Sequence, residues 1–114
     1  MMRGKVGIVV AMAAELRHLL AWAGDARETR DRAWQEYHLR IGGLQVVALR
    51  SGIGLLNASA ATEHLIAFHA PTIVLNVGCA GAHRRDLLPG DMVIGERVVH
   101  TSAVHILPDG TEHH

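Results

Sequence analysis

Glu15 is the residue whose position best suits chemistry. It falls in the first turn of an expected helix, just past the short apolar run Val6-Gly7-Ile8-Val9-Val10. In open α/β sheets ligands bind beyond the carboxyl ends of the strands, so a carboxylate there can meet a substrate, take up a proton or face a developing positive charge. The plain alternative is a glutamate that complements the helix dipole, and position alone favours that alternative. Two further stretches could contact a ligand. Ser51-Gly52-Ile53-Gly54 is a glycine turn at a helix start, where free N–H groups can meet an anion or a hydroxyl. It lacks the lysine and spacing of a phosphate-binding loop, and Gly52-x-Gly54-x-x-Asn57 is a poor dinucleotide fingerprint. Asn76-Val77-Gly78-Cys79-Ala80-Gly81 runs from a strand into small residues that let a ligand approach the backbone.

Other reactive residues carry less. Cys79 has no adjacent His/Asp pattern that would make it a nucleophile and reads as a small apolar side chain. Among the nine histidines, His64 and His69, like His100 and His105, stand five apart. A zinc pair on one helical face needs a spacing of four, so no metal site is expected and the histidines read as solvated or half-buried.

The elements that must position these residues follow from periodicity. Val6 to Val10 suits a strand buried on both faces. Met12, Leu16, Leu19, Leu20 and Ala23 recur at helical spacing, with Gly24-Asp25 as the stop and Ala26 to Arg32 as a charged loop. Trp34 to Ile41 and Leu44 to Arg50 are strand-like runs around Gly42-Gly43, which predicts a hairpin with a primed turn. A second helix is expected from Leu55 to His69, with Ala58, Ala61, Leu65 and Phe68 on one stripe and Ala70-Pro71 ending it. Thr72 to Gly78 reads as a second buried strand. Pro89-Gly90 leads into Asp91 to Gly95, Val98 to Ile106 reads as a further strand, and Pro108-Asp109-Gly110 as a turn. The order is that of a mixed α/β fold.

The chain's 114 residues suit one small domain, and 49% of them are hydrophobic, enough for a core. With 11 Lys+Arg against 11 Asp+Glu and no basic stripe, neither nucleic acid nor an anionic membrane is an expected partner. A single cysteine forms no internal disulfide, and no apolar stretch of about 18 residues is present, so a cytoplasmic protein without a membrane span is expected.

Three of these stretches, taken together in order and spacing, resemble one family. Gly7 to Glu15, Ser51 to Gly54 and Asn76 to Gly81, followed by Pro89-Gly90-Asp91-Met92-Val93-Ile94, are similar to the methylthioadenosine/S-adenosylhomocysteine nucleosidases of the nucleosidase/phosphorylase superfamily. The resemblance runs from Lys5 to about Val104 and corresponds to the first half of a family member. Residues 1–114 are therefore expected to form the amino-terminal half, cut short, of a three-layer α/β domain with a mixed sheet.

The resemblance implies hydrolysis of the N-glycosidic bond of a purine nucleoside, without metal or organic cofactor. Glu15 matches the glutamate that activates the attacking water. Met12 matches a residue lining the ribose pocket, Ile53 one packing near sugar and base, and Cys79, Ala80 and Gly81 the segment beside the ribosyl and purine groups. The acid that protonates the purine, and the glutamate and methionine that grip the ribose, belong to the family's carboxyl-terminal half, so the chain is expected to carry half a site. The resemblance also implies a homodimer. Ala13 and Ala14 stand where the family often has acidic residues, Cys79 where it usually has serine, and Asn76 where related phosphorylases have a phosphate-binding arginine. Phosphorolysis, a futalosine-type hydrolase, and a non-catalytic nucleoside-binding or pairing domain are the alternatives.

Overall fold

The computed structural model describes residues 4–100, 105–106, 108–110 and 112–113. They fall into two compact units, up to Ala80 and from Gly81 onward. In the first unit, β1 (Lys5–Val10), α1 (Ala13–Ala23), β2 (Ala26–Asp31), β3 (Trp34–Ile41), β4 (Leu44–Arg50), α2 (Leu55–His69) and β5 (Ile73–Asn76) follow in order. The strands form one sheet in the order β2-β3-β4-β1-β5. β1 is parallel to β4 and β5, whereas β2, β3 and β4 are joined antiparallel. The sheet is thus mixed, with one helix packed on each face, as the expected fold class requires.

The period of two along the strands divides the core between those helices. Val6, Ile8 and Val10 of β1, with Val46 and Ala48 of β4 and Leu39 of β3, pack against Leu16 of α1. Val9, Val47 and Leu49 face the other way, onto Ala61 and Leu65 of α2. Leu49 and Leu65 are completely shielded from solvent. Burying each contributes about 1.5–3 kcal/mol.

The Gly42-Gly43 hairpin forms as expected. Both residues have positive φ, 55° and 82°, which a primed two-residue turn demands. α2 spans the expected residues and stops at Ala70, whose φ of 44° is left-handed and whose N–H donates to the Ile66 carbonyl. Of its expected stripe, Ala61 and Leu65 are buried, but Phe68 is exposed at the rim.

Three expectations need correction. The charged stretch from Ala26 is not a loop but the edge strand β2, paired with β3 from Ala26 opposite Leu39 to Asp31 opposite Trp34. An edge strand draws its ladder from one neighbour and leaves its side chains in water, so Arg27, Glu28 and Arg30 give no apolar alternation to read. β5 forms, but its side chains are largely exposed, Ile73 by 46% and Leu75 by 41%. It lies at the sheet's other edge, where its apolar run is only partly covered. Finally, Val98 to His100 are not in a strand, and 101–104 lie outside the described residues.

In the second unit, Gly90 has a φ of 95°, and Leu88 and Asp91 close a turn through reciprocal bonds of 2.8 and 3.0 Å. The short strands β6 (His105–Ile106) and β7 (Glu112–His113) pair antiparallel around the Pro108-Asp109-Gly110 turn. Among the described residues, no helix is long and apolar enough to cross a membrane.

Candidate active site

The parallel register brings the three sequence motifs to one edge of the sheet. Val10, the last residue of β1, lies opposite Arg50, the last of β4, and Val9 lies opposite Asn76, the last of β5. The backbone N–H of Ser51 donates to the Val10 carbonyl at 2.8 Å, and that of Val77 donates to the Val9 carbonyl at 3.1 Å. β1 therefore ends between the glycine turn on one side and the small-residue segment on the other. This is the position beyond strand ends where α/β sheets bind ligands.

Glu15 occupies that edge. It is the third residue of α1, with Met12 as the helix N-cap in extended conformation. Its Oε2 accepts hydrogen bonds from the N–H groups of Ala11 at 3.1 Å and Met12 at 3.2 Å. This is the reach-back half of a capping box, which satisfies donors that the helix start leaves free. Oε1 accepts from the backbone N–H of Cys79 at 3.2 Å. Three main-chain donors thus fix the carboxylate's orientation. Gly78 makes the close approach possible, because a Cβ there would stand 3.0 Å from Oε1.

The other expected site residues divide. Met12 is next to Glu15 and 41% exposed, so its side chain is available to a ligand. Cys79 is exposed and reaches Glu15 through its main chain. Ile53 projects from the β4–α2 turn, 73% exposed, while its carbonyl accepts a bond from Asn57 Nδ2 at 2.7 Å. Ser51 is buried, and its hydroxyl donates to the Gly52 carbonyl at 2.7 Å. Ala80 is exposed, and Gly81 opens the second unit. A concave region of about 770 Å³ lies instead where β1 begins, lined by Lys5, Asp25, Arg27 and Arg40 among others, and contains none of these residues.

A second cluster of ionisable groups, which the spacing of the histidines does not foretell, lies on β3 and α2. Glu36 of β3 is buried beneath α2, where its Oε1 accepts from His64 Nε2 at 2.6 Å and His69 Nε2 at 2.8 Å. His38 Nε2 lies 3.3 Å from Oε2. Burial raises the Glu36 pKa, but the hydrogen bonds from His69 and His64 and their proximity outweigh it and hold the carboxyl below its ordinary value. His38 is held below the usual imidazole value, first by burial and then by Arg27, against the opposing pull of Glu36. The five-residue separation of His64 and His69 therefore does not keep them apart. His69 is the last residue of α2, and both rings turn onto the one carboxylate. The available signal was Glu36 and His38, two apart and hence on one face of a strand, the face that α2 covers.

A mixed sheet with a carboxylate and two small-residue turns at the ends of its parallel strands is the arrangement in which α/β folds bind ligands, and sequence comparison supplies the family. Residues 5–111 match the model of the phosphorylase superfamily, and the chain belongs to it. Within that superfamily it is similar to 5′-methylthioadenosine/S-adenosylhomocysteine nucleosidases. It is 38% identical over 95 residues to that of a Marinomonas species, covering 83% of this chain and 41% of the relative. It is 41% identical over 97 residues to that of Shewanella loihica, covering 84% and 42%. Solved structures agree. The Colwellia psychrerythraea nucleosidase in complex with adenine superposes with a TM-score of 0.72 at 33% identity, over 79% of this chain and 37% of that one. The Streptococcus pyogenes S-adenosylhomocysteine nucleosidase in complex with 5-methylthiotubericidin gives 0.71 at 31%, over 77% and 37%. The chain thus spans about two fifths of the length of the relatives it matches.

Proposed function

We propose that this chain is the amino-terminal part of a nucleosidase that hydrolyses the N-glycosidic bond of methylthioadenosine or S-adenosylhomocysteine, with Glu15 as the group that activates water. The observation that carries the reading is the Glu15 carboxylate, held at the strand ends by the N–H groups of Ala11, Met12 and Cys79. Cleavage sends the electron pair of the C–N bond to the purine and leaves positive charge on the ribose. A fixed carboxylate beside the anomeric carbon stabilises that charge and accepts the proton of the attacking water as its oxygen bonds to carbon. Met12 and Ile53 supply apolar surface to sugar and base, and the chain segment Cys79-Ala80-Gly81 lies beside them.

The proposal includes a homodimer and a cytoplasmic location. The first is supported by Leu55 and Leu56 of α2, 64% and 88% exposed, which an interface would cover. The second is supported by the exposed free thiol of Cys79, which suits a reducing compartment.

The test is to incubate the longest natural polypeptide that contains this chain with methylthioadenosine, with and without phosphate, and to follow free adenine and the sugar product. Phosphate-independent release of adenine and methylthioribose is expected. A sugar phosphate as product assigns phosphorolysis instead, and binding without cleavage assigns a nucleoside-binding domain.

A further inference from the structure

We propose that Glu36, His64 and His69 form a binding site for a divalent transition-metal ion of the zinc class, which clamps α2 to β3. One Glu36 oxygen and the Nε2 atoms of the two histidines lie within 4.8 Å of one another, so each residue offers one ligand atom to a shared locus. Two elements contribute: β3 gives the carboxylate, and the end of α2 gives both imidazoles. Two nitrogens and one carboxylate oxygen make a donor set that suits zinc, cobalt or nickel and is a poor one for magnesium or calcium, which take oxygen ligands.

The environment argues the same way. Glu36 is 3% exposed, and the partners within ion-pair distance are His38, His64 and His69. A buried carboxylate is costly unless it is paired, and a bound dication compensates its charge. The short contacts of 2.6 and 2.8 Å between Oε1 and the two Nε2 atoms are hydrogen bonds. A tetrahedral ion with bonds of about 2.0–2.1 Å sets its ligands about 3.3 Å apart, so admitting it widens these contacts by about 0.5–0.7 Å. The Nε2 hydrogens then leave, to solvent or to Nδ1.

Two outer contacts support the ligands. His38 Nε2 lies near the second Glu36 oxygen and is 3.1 Å from Thr29 Oγ1, which steadies the carboxylate. The His64 ring has Trp34 and Phe68 beside it, with centroids at 6.0 and 4.9 Å, and the Arg32 guanidinium stands 4.1 Å over Phe68. His69, whose side chain is 14% exposed, marks the side from which an ion enters and where water completes its coordination.

The site is separate from the proposed cleavage chemistry. Glu36 pairs with Leu49, and Leu49 with Val9, so two strand spacings, about 10 Å, separate Glu36 from β1. It acts on the fold: the ion fastens the carboxyl-terminal turn of α2 to the sheet.

The experiment is a cobalt(II) titration of the longest natural polypeptide that contains this chain, metal-free and prepared without a histidine tag. One equivalent is expected to bind with the strong visible absorption of a four-coordinate site, to be displaced by zinc, and to raise the melting temperature in a way that a chelator reverses. His69→Gln should weaken binding by more than about 100-fold, beyond the 10–100-fold cost of an outer-sphere change. His100→Gln, at an exposed position in the second unit, should change nothing. If His69→Gln does not fold, Glu36→Gln gives the same reading, because it keeps the side chain's size and removes the anionic ligand. The proposal is overturned by no stoichiometric uptake, by the weak spectrum of a six-coordinate surface ion, or by undiminished binding in the folded variant.

Discussion

Glu15 Oε1 accepts a hydrogen bond of 3.2 Å from the backbone N–H of Cys79, 64 residues further along the chain. The same carboxylate caps its own helix through Met12. One side chain thus ties the start of α1 to the segment that leaves β5, across the end of β1. A glutamate serving the helix alone would need only the local contacts. The distant one is what places it against the segment that the nucleosidase resemblance sets beside ribose and purine.

Replacing Glu15 separates these roles. In the longest natural polypeptide that contains this chain, Glu15→Gln keeps an acceptor oxygen for only one side of the backbone cradle, turns its NH2 toward the other, and cannot take a proton from water. Turnover of methylthioadenosine should fall by about 10²–10⁴, the usual contribution of a general base. Ligand binding and the fold should be largely preserved, with a modest fall in melting temperature from the backbone donor left without an acceptor. Near wild-type kcat in this variant removes Glu15 from the mechanism.

Gly78→Ala tests the same carboxylate from the other side. The added Cβ would meet Oε1 at 3.0 Å, closer than such atoms comfortably stand, so the carboxylate must shift by a few tenths of an ångström. A shift of 1 Å costs about 10²-fold in rate, and this smaller one should cost on the order of tenfold in kcat, with KM and fold nearly preserved. Unchanged kcat would mean that the position of Glu15 is not critical to the reaction.

The fold was legible where one element's own pattern decides its structure. Val6 to Val10, the Gly42-Gly43 turn and the Leu55–His69 helix each carry a local signal, and each formed. β2 was not legible, because an exposed edge strand is held by the main chain of β3 and its side chains report only water. The Glu36 cluster was hidden for a related reason. A strand with Tyr37, Leu39 and Ile41 on one face reads as apolar inward and polar outward, yet α2 covers the polar face as well. Which face a helix will cover is a property of the assembled sheet, and no spacing within Trp34 to Ile41 encodes it. The Glu15 site was legible only as three separate stretches. Their meeting depends on the parallel register of β4, β1 and β5.

The hairpin glycines offer a test of stability that leaves the site alone. A Cβ at Gly42 or Gly43 meets no atom within 4 Å, so substitution costs conformational energy without a clash. Gly43→Ala, at a φ of 82°, should destabilise the protein by about 1–2 kcal/mol, the cost of a left-handed L-residue. Chemical denaturation measures it directly, and a loss well below 0.5 kcal/mol, roughly the effect of an ordinary surface substitution, would show that the turn does not hold this conformation.

Cys79 should prove chemically dispensable. Its N–H, not its thiol, reaches Glu15, and any L-residue supplies that donor. Cys79→Ser is expected to retain the proposed activity in the longest natural polypeptide that contains this chain, and the serine hydroxyl adds the polar group usual in the nucleosidases this chain resembles. Inactivation by the substitution, together with loss of wild-type turnover at the rate of thiol alkylation, would assign the sulfur a covalent role.

A polypeptide of these 114 residues alone should not release adenine. Cleavage requires three things at once: water activated beside the anomeric carbon, the ribose clamped, and the departing purine protonated. On the proposed function, Glu15 provides the first. The acid and the ribose-gripping residues correspond, by the resemblance, to parts of the nucleosidases beyond the two fifths that this chain matches. Orientation of all reacting groups together supplies on the order of 7–11 kcal/mol in favourable cases, so a partial site forfeits most of the acceleration. The exposed apolar residues Ile53, Leu55, Leu56 and Ile66 should also drive the polypeptide to associate. Chromatography of a methylthioadenosine incubation gives the answer. Adenine released at an ordinary enzymatic rate, and abolished by Glu15→Gln, would show that the 114 residues assemble a whole site among themselves or as an oligomer.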